Sequence, residues 1–170
     1  YHPFVVAIGG GTMDKSIFKK YIAQDAFFLQ AFAKAYAHCL TKCETEAQIA
    51  SFSELIAGVV QELKMHKTYA SEWNVDLTSV QPNPATAAYT SFLLKLAQEE
   101  EEVAVVAAAM IPCMRLYAWL GQTLAEAYPG ATHEYAHWIA EYSSPEFEDL
   151  ASKLEVLLDD LCTTMPADTV

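Results

Sequence analysis

Apolar residues return every three or four positions through most of this chain, and no stretch alternates apolar with polar in the manner of a half-buried strand. That period makes helices the building material and excludes sheet folds. Most prolines and the run Gly9-Gly10-Gly11 fall between the periodic segments and mark their ends. Asp14 caps a first predicted helix that runs to about Leu40, and a second spans about Glu44 to Trp73. A third follows Asn83-Pro84 to about Gln98. The carboxylate run Glu99–Glu102 suits a helix N-terminus and opens a fourth, ending near Tyr128. Two more are predicted over about Thr132–Tyr142 and Pro145–Met165. With 170 residues, 53% of them hydrophobic, the chain is one domain's worth and buries a real core. The predicted architecture is an all-α helical bundle formed by one domain over residues 1–170.

Charge narrows the partners. Ten Lys+Arg against 22 Asp+Glu leave a net charge of −12. A nucleic-acid binder needs a basic face to displace counterions from phosphate, so nucleic acid is excluded as a partner, and an anionic membrane surface is disfavoured on the same ground. No uninterrupted apolar run reaches the roughly 18 residues of a spanning helix, and no secretory leader is visible. The chain opens on Tyr1 rather than Met, which reads as a piece of a longer or processed protein. Cys39, Cys43, Cys113 and Cys162 are too sparse for a disulfide scaffold and are expected as free thiols in a reducing compartment, the cytoplasm.

Four features bear on chemistry. Tyr21, Asp25, Phe28, Phe32 and Ala35 share one face of the first long helix, with Lys20, Gln24 and Lys34 on the other side. An aspartate among aromatic rings must be paired or hydrogen-bonded, or its pKa rises. It either satisfies a neighbouring helix or offers a carboxylate to a planar polar ligand stacked on the rings. Cys113, on a stripe with Tyr117, Leu120 and Leu124, directly follows Pro112, which removes a helical hydrogen bond. It is either a small buried apolar residue or a nucleophile. Arg115 points away from Cys113 and is expected in a structural salt bridge. His133-Glu134-Tyr135-Ala136-His137 matches the zincin pattern, in which both histidines bind zinc and the glutamate activates water. Its place in the first turn of a short helix, and the lack of an assigned third ligand, count against a metal. The triple glycine reads as a tight turn.

Several dispersed motifs then fall in one order: His2-Pro3-Phe4-Val5, Gly10-Gly11-Thr12, Phe18-x-x-Tyr21-x-x-Gln24-Asp25-x-x-Phe28-Leu29, Glu62-x-x-x-His66, Pro84-x-x-x-x-Tyr89-Thr90, Ile111-Pro112-Cys113-x-x-Leu116-Tyr117-x-x-x-Gly121 and Trp138-Ile139-x-x-Tyr142. This order, covering nearly everything from His2 to Phe147, resembles the TenA, or thiaminase II, family in its cysteine-bearing branch. The likeness extends to plant bifunctional members in which a thiamin monophosphate phosphatase follows the helical half. It implies a haem-oxygenase-like all-α fold without haem or other cofactor, a homo-oligomer (a tetramer), and hydrolysis of thiamin-derived aminopyrimidines to hydroxymethylpyrimidine in thiamin salvage. It implies Cys113 as the nucleophile and Asp25 as the anchor of the pyrimidine's amidine edge. It further implies Phe28 as a stacking ring, and Tyr89, Tyr117 and Tyr142 as the tyrosines that line and hydrogen-bond the pocket. The family's first helix, and the last helix with its acid/base glutamate in a Tyr-Tyr-Glu context, have no counterpart here, and a fused phosphatase is expected in a longer chain. The alternatives are a non-catalytic pyrimidine-binding or oligomerising module, and a zinc hydrolase at His133 and His137.

Overall fold

The computed structural model describes residues 2–163, which form helices and connections with no strand among them. The helices are α1 (Pro3–Gly9), α2 (Lys15–Thr41), α3 (Glu46–Trp73), α4 (Pro84–Glu99), α5 (Val103–Ala127), α6 (Ala136–Tyr142) and α7 (Pro145–Thr163). Local chemistry sets the ends. The Asp14 carboxylate accepts from the Ser16 and Ile17 amides ahead of α2, Thr45 and Gln48 form a reciprocal capping box at α3, and Asn83 caps α4 just before Pro84.

Three boundaries differ from expectation. Helix α1 was not anticipated, because seven residues are too few to display a period; His2 caps it and Pro3 sits in its first turn. Glu99 closes α4 instead of opening the next helix, so the carboxylate run is a connection and α5 begins at Val103. Lys42 reaches across to the Ala97 carbonyl at 2.9 Å and stabilises that end. Helix α6 begins at Ala136 rather than Thr132, for reasons given with the site. The expected end of α7 near Met165 lies outside the described residues.

Helix α2 packs on α3 and α4, α5 packs on α6 and α7, α3 also meets α7, and short α1 lies against α5 and α6. Phe18, Ile22, Phe32, Phe52, Met110 and Leu154 are fully or almost fully shielded from water along these seams. Helix α5 departs from the expectation of no membrane-length segment: by length and composition it could span one, an 18-residue window of it having a mean hydropathy of 1.8. An average over such a window tolerates Arg115, which interrupts any continuous apolar run. Here α5 is a core helix, and Arg115 at its middle binds α7 as expected, through Nη1 to Glu148 at 2.8 Å and Nε to Glu155 at 2.7 Å.

Gly121 sets how closely α5 and α6 approach. A Cβ there would enter the Tyr142 carbonyl group and come within 2.6 Å of the Ser143 nitrogen. Backbone cannot swing aside as a side-chain tip can. Gly121→Ala should cost about 2–3 kcal/mol despite its better helix propensity, measurable as a lower urea midpoint. A midpoint equal to wild type would show that the helices are not in contact there.

Candidate active site

The face of α2 predicted to carry aromatics around Asp25 opens on a cavity of about 500 Å³. Tyr21, Asp25 and Phe28 form one wall, Cys113 and Tyr117 of α5 a second, and Asn83, Thr86 and Tyr89 at the start of α4 a third. Phe28 and Tyr89 lie ring against ring, 5.1 Å between centroids and 31° apart, a ready platform for a planar heterocycle. Beneath it a narrow crevice continues inward between Phe28, Cys113, Tyr117 and Glu62.

Asp25 satisfies a neighbouring helix and also borders the cavity. Its Oδ2 accepts from the Tyr21 hydroxyl at 3.1 Å and meets His66 Nε2 on α3 at 2.8 Å, while the residue also lines the cavity. The opposite nitrogen, His66 Nδ1, lies 3.0 Å from the Glu62 carbonyl oxygen. Both ring nitrogens thus face acceptors, which only an imidazolium satisfies as a double donor. Burial alone would lower the His66 pKa. The Asp25 carboxylate, through its hydrogen bond and charge, more than reverses this and holds it above the ordinary value. Tyr21 is fixed in turn by the Trp138 indole N–H at 3.0 Å and stands 3.5 Å from the Tyr117 hydroxyl.

The predicted residues therefore converge, with one correction. Asp25, Phe28, Tyr89, Cys113 and Tyr117 all line the cavity; Tyr142 does not. It is fully buried one layer deeper, packs on Tyr117 at 4.9 Å and donates its hydroxyl to the Glu62 carboxylate. Burial pushes the Cys113 thiol well above its usual range, and the Asp25 and Glu62 carboxylates push it further. The resting site thus holds a thiol rather than a thiolate.

One other expectation changes. Lys20 and Gln24, expected on the side of α2 away from Asp25, line the same cavity. The Gln24 amide donates to the Gln81 carbonyl at 3.0 Å and accepts from the Asn83 N–H at 2.8 Å. The zincin reading fails on geometry. His133 lies ahead of α6, its Nε2 3.1 Å from the Gly9 carbonyl, so the two histidines are not one turn apart on a helix. Glu134 pairs with Lys15 at 2.6 Å, and the His137 ring packs 5.8 Å from Tyr69. Among the described residues no group of three His, Cys, Asp or Glu side chains could hold a metal ion. The glycine run is the expected tight turn: Gly11 adopts φ +66°, with the His133 ring against its Cα.

Comparison with known proteins places this geometry. The TENA/THI-4/PQQC family profile matches residues 1–170. A bifunctional TH2 protein of Arabidopsis thaliana, named as mitochondrial, is 34% identical over 188 residues, covering 99% of this chain and 30% of that protein. An aminopyrimidine aminohydrolase of Halalkalibacterium halodurans is 33% identical over 165 residues, covering 94% of this chain and 73% of the enzyme. A TenA homologue from Pyrococcus furiosus superimposes with a TM-score of 0.87 over 98% of this chain and 79% of that one, at 21% identity, which shows the shared haem-oxygenase-like fold. The chain thus spans under a third of the plant relative's length and about three quarters of the bacterial enzyme's.

Proposed function

Because the chain belongs to the TENA/THI-4/PQQC family, we propose that it is an aminopyrimidine aminohydrolase of the thiaminase II type, releasing hydroxymethylpyrimidine from thiamin-derived aminopyrimidines. The observation that carries this reading is the meeting of Asp25, the Phe28–Tyr89 platform and Cys113 in one cavity built by three helices. Asp25 accepts hydrogen bonds from the amidine edge of the pyrimidine, and Phe28 and Tyr89 fix the ring plane. Tyr117 borders the same space, and Tyr142 supports it from below.

Cys113 then supplies covalent catalysis. Its sulfur bonds to a ring carbon, the displaced ring electrons break the C–N bond at the exocyclic methylene, and the thiol proton leaves with the amine. Water next delivers hydroxyl to the methylene, the S–C bond breaks, and water's other proton returns to sulfur. Capture of the ring on Asp25 and the aromatic platform holds sulfur and ring carbon together, so that the addition is unimolecular.

The test is release of hydroxymethylpyrimidine and ammonia from aminomethylpyrimidine by the full-length protein, with a calorimetric titration by hydroxymethylpyrimidine alongside. Turnover supports the enzyme. Binding without turnover supports the second reading, a pyrimidine-binding or oligomerising module, which the protonated resting state of Cys113 favours. Absence of both removes the pocket assignment. A homo-oligomer (tetramer), a fused phosphatase in the longer chain, one helical domain over residues 1–170, and a reducing compartment, the cytoplasm, complete the proposal; all four cysteines being free supports the last.

A further inference from the structure

Below the proposed ring platform sits a carboxylate to which the reaction sequence gives no task. Glu62 projects from α3, one turn before His66, into the crevice it shares with Asp25, Phe28 and Cys113. One oxygen accepts from the Tyr142 hydroxyl; the other has no donor among the described residues. No cation forms a salt bridge with its side chain among these residues, since His66 spends its ring on Asp25 and on the Glu62 backbone. The titratable groups that face it are Asp25 and Tyr36 from α2, His66 from its own helix, Cys113 and Tyr117 from α5, and Glu141 and Tyr142 from α6.

A buried carboxylate with one donor and a second carboxylate nearby is poorly solvated when charged, whereas its acid form is neutral. We propose that Glu62 is a positioning residue that serves this site as an undissociated acid, holding Tyr142 in place while adding no negative charge beside Cys113. The proposal rests on Cys113 being the nucleophile, and it assigns Glu62 an effect on that sulfur rather than on the substrate. Were Glu62 ionised, the thiolate would form against two carboxylates instead of one. Asp25 bonds directly to the His66 imidazolium, which offsets its charge; Glu62 has no such direct pair, and His66 offsets it only through space. Burial and then the Asp25 charge push the Glu62 pKa up, the Tyr142 hydrogen bond and His66 only partly opposing them, to about 8. The acid form is therefore the neutral-pH form. The proton that leaves sulfur goes with the amine, so Glu62 neither gains nor loses one in turnover.

The experiment compares wild type and Glu62→Gln, whose amide copies the neutral charge and shape of the acid, across pH 7 to 9. Two rates are followed in the full-length protein: kcat/KM on aminomethylpyrimidine, and alkylation of Cys113 by iodoacetamide, read by mass spectrometry of its peptide. A neighbouring charge that shifts a thiol by about one pKa unit changes its thiolate fraction about tenfold. The ratio of Gln variant to wild type should therefore climb about tenfold from pH 7 to pH 9 in both rates. A ratio that is flat with pH overturns the proposal, because a merely structural role would lower activity equally at every pH. Alkylation needs no substrate, so a flat ratio in a protein that turns over rejects Glu62 alone, and a climbing ratio without turnover rejects the hydrolase reading alone. Should the variant fail to fold, wild type still decides. A native Glu62 that keeps its proton from pH 4.5 to about 8, where the unfolded chain has lost it, makes unfolding free energy fall as pH rises through that window. The raised His66 pKa adds a fall of the same sign. Stability that is level from pH 5 to 8 would overturn the proposal.

Discussion

Cys113→Ser should lower kcat for aminopyrimidine hydrolysis by roughly a thousandfold or more, the scale seen when an enzyme's nucleophile is removed. The change replaces one atom and keeps the side chain's shape, so the cavity and the Phe28–Tyr89 platform should remain intact. What it removes is a polarizable sulfur able to bond reversibly to an electron-poor ring and to leave again. An alcohol in the same place is a weaker nucleophile at neutral pH and a poorer leaving group. Hydroxymethylpyrimidine affinity, read by calorimetry, should change little, because the proposed function assigns binding to Asp25 and the rings. Full turnover in the serine variant would remove the nucleophile assignment and return Cys113 to the role of a small buried residue.

Asp25→Asn should cost about 2–4 kcal/mol of transition-state stabilisation, measured as a fall in kcat/KM. The amide keeps the size but loses the charge, and one of its two ends becomes a donor where the pyrimidine presents N–H. Charge-assisted pairs of this kind are the stronger hydrogen bonds, and enclosure by Tyr21, Phe28 and Tyr117 strengthens them further. The structure adds a second consequence. His66 Nε2 would lose the carboxylate 2.8 Å away that favours its imidazolium, so its pKa, followed by NMR of the ring protons, should fall in the variant. Unchanged turnover with a lowered His66 pKa would leave Asp25 as a purely structural partner of α3.

The parts of this site legible in sequence are those that lie along one helix. Tyr21, Asp25 and Phe28 share a face of α2 by period alone, and Cys113 and Tyr117 share a stripe of α5. Pairing between helices leaves no such trace. His66 meets Asp25 across 41 positions of sequence, and nothing in local spacing distinguishes a histidine aimed at a carboxylate from one packed in a core. Tyr142 was placed on the right helix but one layer too shallow, since period gives a face and not a depth. Gln24 falls on the other side of α2 by period, yet the connection after α3 folds back over it and brings it to the cavity. The zincin pattern fails as a metal site for a related reason. Its spacing has meaning only inside a helix, and the ring of His133, turned to the Gly9 carbonyl, lies outside one.

The Gln24 contact has a kinetic consequence. The connection between α3 and α4 supplies Asn83 to the cavity wall, yet its Asp76 is spent within the connection on Thr78 and Ser79, and both ends of one glutamine amide tie Gln81 and Asn83 to α2. Segments held by few, partly exposed hydrogen bonds open locally, well below the free energy of global unfolding. The residence time of a bound ring would then follow the lifetime of two bonds from one side chain. Hydrogen exchange at the Asn83 amide, which donates one of those bonds, would time that opening and should slow when a ligand fills the space beneath it.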